Sequence, residues 1–268
     1  MNRSELELLD NLKRGRDHHG VVAVKAEFEA EGTRPDEFHR LLEIAQRAGV
    51  KVALKIGGCE AVSDLLASKI YGVDYVIAPM VETPYALSKF VDAKNKTHGA
   101  QEQRTSFLFN LETETTLRNL PAILPVARSG VDGMVFGRVD FALSRGLPRG
   151  AINDPSITAA VIEAAHACRD NDLELVVGGS VAVEAIPALR EIRRVRLDRF
   201  ETRKIVFDGA AIEDAAIAEG IMQAVAFELG WLKNKHDYYD AIAREDLARI
   251  AMLEARMPAP RQAVPHAA

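Results

Sequence analysis

Two acidic side chains stand where predicted strands of an α/β fold end, and their chemistry suits a metal ion. Glu112 follows the apolar run that begins at Ser106, and Asp140 closes the next apolar run. In α/β folds, ligands bind at the carboxyl edge of the sheet. Two carboxylates held there on neighbouring strands supply the oxygen ligands that hard divalent cations take. We therefore expect Glu112 and Asp140 to bind a metal.

Other charged residues recur at the ends of the predicted strands. Side chains alternate along a strand, so the following groups each share a face: Lys25 with Glu27 and Glu29, Asn110 with Glu112, Arg138 with Asp140, and Glu201 with Arg203. Lys55 and Glu82 end two further strands. Charged groups are rarely buried unless they are paired or bind a ligand. We expect one shared pocket whose basic residues bind an anionic substrate, although Glu201 and Arg203 could equally form a structural ion pair.

The elements that carry these residues alternate between strand and helix. The predicted strands are Val21–Glu27, Lys51–Gly57, Tyr75–Pro79, two within Ser106–Gly146, Leu173–Gly178 and Arg199–Phe207. Continuous apolar strands that alternate with helices indicate a parallel sheet covered by helices. We expect a (β/α)8 TIM-type barrel, although only seven strands are clear and an eighth would have to lie near the N-terminus. An open doubly wound sheet is the alternative.

A single domain over residues 1–257 is the simplest organisation. From about residue 210 the pattern is helical, with interruptions near Gly230 and Asn234. This region is longer than one barrel helix. Leu232–Met257 therefore either packs against a neighbouring subunit or serves as a capping helix. The tail 258–268 is expected to be disordered.

Composition excludes several classes of protein. The net charge of −5 argues against a partner with a phosphate backbone, so we expect no nucleic acid. No apolar run approaches the roughly 18 residues of a membrane span, and the N-terminus does not resemble a signal peptide. Cys59 and Cys168 have neither metal-type nor disulfide-type spacing, so the cytoplasm is the expected location.

A set of short motifs runs through Ser106–Gly146. The motifs are Asn110–Leu111–Glu112, the run from Asn119 to Leu124, Gly130–Val131–Asp132–Gly133, Gly137–Arg138–Val139–Asp140, Ser144 and Gly146. Together they resemble the HpcH/HpaI aldolase and citrate lyase β-subunit superfamily. The likeness extends more weakly from about Val21 to Gly209.

The resemblance implies a TIM barrel that forms homo-oligomers through a C-terminal helix packed on a neighbour. It implies Mg2+ or Mn2+ on Glu112 and Asp140, with a 2-oxo acid or acyl-CoA substrate. In the aldolase branch, main-chain N–H groups near Gly137 and Val139 bind the carboxylate of pyruvate. The metal there polarises the carbonyl and stabilises an enolate.

Two positions differ from the family pattern. Glu27 and Phe28 stand where the aldolases carry a Glu-His pair, and Lys55 stands in place of an arginine that binds substrate. Lysine is a point charge rather than a bidentate fork. We expect Glu27 to transfer the proton. Lys55 and Arg138 then bind the anionic end of the substrate or stabilise charge, and further substrate contacts come from Lys25, Asn110, Gly137 and Val139.

The sequence thus predicts a metal-dependent carbon–carbon lyase or aldolase that works through a pyruvate-type enolate. Three alternatives remain. The first is a condensing acyl-transferase or citrate-lyase-like enzyme on the same barrel, possible without metal. The second is a Schiff-base aldolase that uses Lys55 or Lys25, since a desolvated lysine can be a nucleophile. The third is a non-catalytic ligand-binding barrel.

Overall fold

Strands alternate with helices through the chain, in a computed structural model that describes residues 1–99 and 104–257. The tail 258–268, expected to be disordered, lies outside the described residues. The strands are Val21–Glu27 (β1), Lys51–Lys55 (β2), Tyr75–Ala78 (β3), Ser106–Leu111 (β4), Gly133–Gly137 (β5), Glu174–Gly178 (β6), Arg199–Glu201 (β7) and Ile205–Asp208 (β8). They close in chain order into a barrel. The predicted TIM-type barrel is confirmed.

Helices surround the barrel and bury their apolar faces against the outside of the strands. They are Arg3–His19 (α1), Pro35–Ala48 (α2), Val62–Tyr71 (α3), Pro84–His98 (α4), Glu114–Gly130 (α5), Arg138–Ser144 (α6), Pro155–Asp170 (α7), Ile186–Arg193 (α8) and Ile217–Glu254 (α9). Short 3-10 turns occupy Arg149–Asn153, Val183–Ala185 and Gly209–Glu213. None of the described helices is both long and apolar enough to cross a membrane.

The prediction of one strand over Arg199–Phe207 is wrong, because this segment reverses direction and supplies two strands. The Thr202 N–H donates to the Ile205 carbonyl at 2.9 Å, which closes a tight turn between β7 and β8. β8 runs antiparallel to both β7 and β1, and it completes the barrel. The eighth strand therefore does not lie near the N-terminus. Arg203 lies in the turn and does not share a strand face with Glu201.

The fifth strand also ends earlier than predicted. β5 stops at Gly137, and Arg138 begins α6. Arg138 and Asp140 therefore lie in the first turn of a helix, where residues two apart point in different directions. The expectation that they share a strand face is wrong.

The C-terminal region is one continuous helix rather than an interrupted one. A Cβ at Gly230 would lie 3.0 Å from Leu8 Cδ2, so this glycine allows α1 and α9 to pack closely and does not break the helix. The Asn234 Oδ1 accepts from the Asn2 amide at 2.7 Å. The buried residues of α9 end at Trp231, and Lys235 and Tyr239 still contact Glu37 of α2. From residue 241 the helix is exposed on every side.

The interior of the barrel changes character along the strands. One layer of inward side chains is apolar: Ala23, Ala53, Tyr75, Ile77, Leu108, Val135, Val176 and Val206. Two residues further along, the inward positions of β1, β2, β4, β5 and β6 are Lys25, Lys55, Asn110, Gly137 and Gly178, and Glu201 of β7 lines the same pocket. The apolar layer forms a floor, and the polar layer above it faces the carboxyl ends of the parallel strands.

Candidate active site

A pocket of about 560 Å³ opens above the polar layer. It brings together every site residue predicted from the sequence except Arg138: Lys25, Glu27, Lys55, Asn110, Glu112, Gly137, Val139 and Asp140. The acidic side chains on its wall are Glu27, Glu29, Glu112, Asp140, Glu201 and Glu228, and the basic ones are Lys25, Lys55, Arg149 and Arg203. Six carboxylates against four basic groups leave negative charge that a bound cation would balance.

Glu112 is held firmly at the end of β4. It is only 2% exposed. Its Oε1 accepts from the Met80 N–H at 2.8 Å, and its Oε2 accepts from the Asn110 amide at 2.6 Å. Gly137 of the neighbouring strand makes room for it, since a Cβ there would lie 2.9 Å from Glu112 Cβ. A carboxylate fixed by several contacts is well placed to coordinate a ligand without reorganising.

Asn110 carries an unsatisfied oxygen. Its Oδ1 is buried and has no hydrogen-bond partner among the described residues. The orientation of the amide is set by Glu112, because only the Nδ2 group can donate to that carboxylate. A buried acceptor without a partner is destabilising by about 1–3 kcal/mol. This oxygen is therefore available to a cation or to a donor group of a substrate.

The donor set fits a divalent cation with oxygen ligands. Glu112 and Asp140 line the same pocket as the free Asn110 oxygen, and Asp140 is exposed. Within the described ranges, no group of three or more acidic, histidine or cysteine side chains forms a closed metal cage. Water or substrate oxygens would complete the coordination, as Mg2+ generally requires.

Lys55 bridges two carboxylates at the same edge. Its Nζ lies 2.9 Å from Glu29 Oε2 and 3.4 Å from Glu112 Oε2. Burial acts to lower the pKa of Lys55, but the charges of Glu112 and Glu29 outweigh it and raise the pKa above its ordinary value. Lys55 is thus a fixed positive charge that suits an anionic substrate and also competes with a metal for Glu112.

Lys25 and Glu27 occupy the wall next to β2. The Lys25 Nζ lies 3.2 Å from Glu27 Oε1. Burial acts to raise the pKa of Glu27, but Lys25 and Lys55 outweigh it and lower the pKa below its ordinary value. Glu27 is therefore ionised at neutral pH and can accept a proton. Phe28 turns away from the pocket and packs edge-to-face on Phe38, with ring centroids 5.4 Å apart.

Arg138 is placed away from the pocket wall. Its guanidinium is buried and donates to the carbonyls of Gly178 and Gly179 at 3.1 and 3.0 Å, and to Asn153 Oδ1 at 2.9 Å. Burial lowers the pKa of Arg138 to about 10. The side chain connects the start of α6 to the loop after β6, so it is oriented to support the site and not to contact a ligand in the pocket.

Several pocket residues were not anticipated from the sequence. Val225 and Glu228 reach the wall from α9, Arg149 reaches it from the 3-10 turn Arg149–Asn153, and Ser180 reaches it from the loop after β6. Met80 contributes a main-chain N–H and has a positive φ of 51°. No local pattern marks these residues, because the first four belong to segments whose place above the barrel is set by packing.

The family model described as HpcH/HpaI aldolase/citrate lyase matches residues 38–191, which is more than half of the chain. The chain belongs to the HpcH/HpaI aldolase/citrate lyase family. The matched segment contains Lys55, Asn110, Glu112 and Gly137–Asp140, whereas Lys25, Glu27 and Glu201 lie outside it. Family membership supports an activity of the lyase or aldolase type.

Two solved structures of family members share the fold. The HpcH/HpaI aldolase from Desulfitobacterium hafniense DCB-2 is 14% identical, with a TM-score of 0.58, over 72% of this chain and 82% of that chain. An HpcH/HpaI aldolase/citrate lyase family protein from Burkholderia cenocepacia J2315 is 13% identical, also with a TM-score of 0.58, over 88% of this chain and 90% of that chain. No curated protein matches the chain. Identities this low show a common barrel and nothing finer.

Proposed function

We propose that this family member is a metal-dependent carbon–carbon lyase that cleaves a hydroxylated 2-oxo acid into a pyruvate-type acid and an aldehyde. The observation that carries the proposal is the buried Glu112 beside the unsatisfied Asn110 oxygen, in a pocket that also holds Asp140. These oxygens would hold Mg2+ or Mn2+. The bound cation would supply Lewis-acid stabilisation of the negative charge that develops on the 2-oxo group.

The chain's own residues perform the remaining steps. Lys55 binds the substrate carboxylate, assisted by the N–H groups at Gly137 and Val139. Lys25 is a second cation for substrate oxygens. Glu27 takes the proton from the substrate hydroxyl, the adjacent carbon–carbon bond breaks, and its electron pair passes to the oxo-acid half as an enolate. Protonation of the enolate carbon releases the oxo acid and restores Glu27.

We assign Arg138 a supporting role in place of the catalytic role expected from the sequence. All three of its polar contacts are to the protein itself, two of them to main-chain carbonyls. A guanidinium with these partners is not available to a substrate carboxylate. Lys55 is the better candidate for that contact because its ammonium reaches the pocket.

We also propose that copies of the chain associate through the second half of α9. After Trp231 no described residue of this helix is buried. The exposed large apolar side chains in this part are Leu232, Tyr238, Ile242, Leu247, Ile250, Met252 and Leu253. An apolar surface of this extent on a projecting helix favours association with another subunit.

The test of the proposed activity is Glu112→Gln, with Glu174→Gln as a matched control. Glu174 forms an ion pair with Arg199 at the opposite end of the barrel, at 2.6 Å. Mn2+ binding is measured by calorimetry, and cleavage of a panel of 4-hydroxy-2-oxo acids is followed by coupled detection of the released oxo acid. We expect Glu112→Gln to lose both Mn2+ binding and cleavage. The control Glu174→Gln should keep both. Full turnover in Glu112→Gln, or metal-independent condensation with an acyl thioester, would reject the proposal.

A further inference from the structure

Lys25 lies between two carboxylates on the pocket wall. Its Nζ is 2.5 Å from Glu201 Oε1 and 3.2 Å from Glu27 Oε1. All three side chains are buried, and all three line the pocket. Glu201 is thus the closer anchor of the ammonium, and Glu27 is the looser one.

The barrel has a specific space for Glu201. A Cβ at Gly178 would lie 2.9 Å from Glu201 Oε1. Gly178 does not have the positive φ that would itself require glycine. A side chain at this position would therefore displace the Glu201 carboxylate. Gly137, the register partner of Gly178 on the neighbouring strand, makes room for Glu112.

Stability alone does not account for this cluster. The layer directly below is apolar, so the barrel could continue with apolar side chains at these positions. Replacing a buried ion pair by well-packed apolar residues is often neutral or stabilising. Two carboxylates around one lysine also leave a net negative charge in the wall. Burying charged groups costs free energy, so charged groups that remain buried in a pocket point to a role in its chemistry.

We propose that Glu201 is a positioning residue, which takes the closer contact with the Lys25 ammonium so that Glu27 pairs with it only loosely and its carboxylate can still take the substrate proton. The proposal rests on the proton-transfer role of Glu27 in the proposed function. The charged groups that surround Glu27 are Lys25 on β1, Glu29 after it, Lys55 on β2, Glu201 on β7, and Arg203 and Lys204 in the turn that follows.

Removing the negative charge of Glu201 should lower the pKa of Glu27. Without the charge of Glu201, the Lys25 ammonium would pair with Glu27 alone. Glu27 would also lose a negatively charged neighbour. Both changes favour the ionised form of Glu27, so both lower its pKa and make it a weaker base. In the native protein Glu201 therefore preserves the basicity of Glu27.

The first test needs no substrate. Carboxyl carbons of glutamate are labelled with 13C, and the Glu27 signal is assigned with Glu27→Gln. We expect Glu201→Gln to lower the titration midpoint of Glu27 by about half a pH unit or more. The control Glu174→Gln removes an equally close ion pair at the other end of the barrel and leaves the midpoint unchanged. An unchanged or raised midpoint in Glu201→Gln overturns the inference.

The second test uses turnover and a second variant. In Glu201→Gln the acid limb of kcat/KM moves to lower pH and kcat falls about tenfold, with KM nearly constant. Gly178→Ala alters no charge but displaces the Glu201 carboxylate, and it shifts both readouts in the same direction. A variant that only loses stability, with the wild-type pH profile, marks a structural role and overturns the inference. If the wild type cleaves none of the substrates, the proposed function is rejected. The 13C titration of Glu27 then decides the role of Glu201.

Discussion

Lys55 Nζ lies 3.4 Å from Glu112 Oε2, so the lysine contacts the carboxylate that we assign to the metal. The same ammonium lies closer to Glu29, at 2.9 Å. A metal that binds Glu112 would compete with Lys55, and Glu29 offers the displaced ammonium a second partner. Metal affinity and the position of Lys55 are therefore linked through Coulomb repulsion.

Lys55→Met should increase the affinity for Mn2+, because a competing cation is removed from Glu112. We expect a gain of about tenfold, which corresponds to ~1.4 kcal/mol. Calorimetric titration with Mn2+ measures it. Lys89→Met is the control, since Lys89 pairs with Glu60 outside the pocket at 2.9 Å. Equal or weaker binding by Lys55→Met would show that Lys55 does not compete for Glu112.

Neither pocket lysine is expected to form a Schiff base. Burial would lower the pKa of Lys25, but Glu201 and Glu27 outweigh it, and the pKa is raised above its ordinary value. The pKa of Lys55 is raised too. A raised pKa keeps an amine charged, and so not nucleophilic, until the pH rises through it. Treatment with pyruvate and borohydride at pH 7 should give no covalent adduct by mass spectrometry; an adduct mapped to Lys25 or Lys55 would favour the Schiff-base mechanism.

Arg138→Met is expected to destabilise the protein by about 2–4 kcal/mol, because it removes the buried guanidinium that donates to the carbonyls of Gly178 and Gly179. Urea unfolding followed by circular dichroism measures the change. Arg194→Met is the control at an exposed position, where we expect a change within about 0.5 kcal/mol. If the two variants are equally stable, Arg138 is not the support that its contacts indicate.

The second half of α9 should determine the oligomeric state. Ile250 and Leu253 are both exposed and lie three residues apart, so they share a helix face. Replacing both by Glu should lower the mass measured by sedimentation velocity. Ala241 and Ala248 are exposed on the opposite side, and the same replacement there should have no effect. A wild-type protein that sediments as a monomer would contradict the proposal.

The sequence predicted the fold and most of the candidate site because both depend on short-range patterns. Asn110 and Glu112 lie two residues apart at the end of a strand, which places them on one face. Lys25 and Glu27 repeat this spacing on β1. Since parallel strands end at the same edge of the barrel, the pocket follows once the strands are recognised.

Residues at turns were harder to predict. Arg138 directly follows the apolar run of β5, and only the packed structure shows that the chain enters α6 there. The turn at Thr202–Lys204 contains neither Gly nor Pro, so the hidden eighth strand could not be separated from the seventh by pattern alone. The local sequence predicts a helix break near Gly230, whereas in the structure this glycine allows close contact with Leu8.

By itself the sequence determined an alternating α/β barrel and identified, as carboxylates and lysines at strand ends, the residues that line its pocket. Alternation and apolar continuity are local properties, so a chain displays them before it folds. Only the tertiary structure decided which charged groups pair. Lys25 is anchored by Glu201, 176 residues away in the chain, and Lys55 reaches both Glu29 and Glu112. These pairings depend on how the barrel closes and on the space that Gly137 and Gly178 leave. Local sequence patterns do not encode the distances between strands that are far apart in the chain.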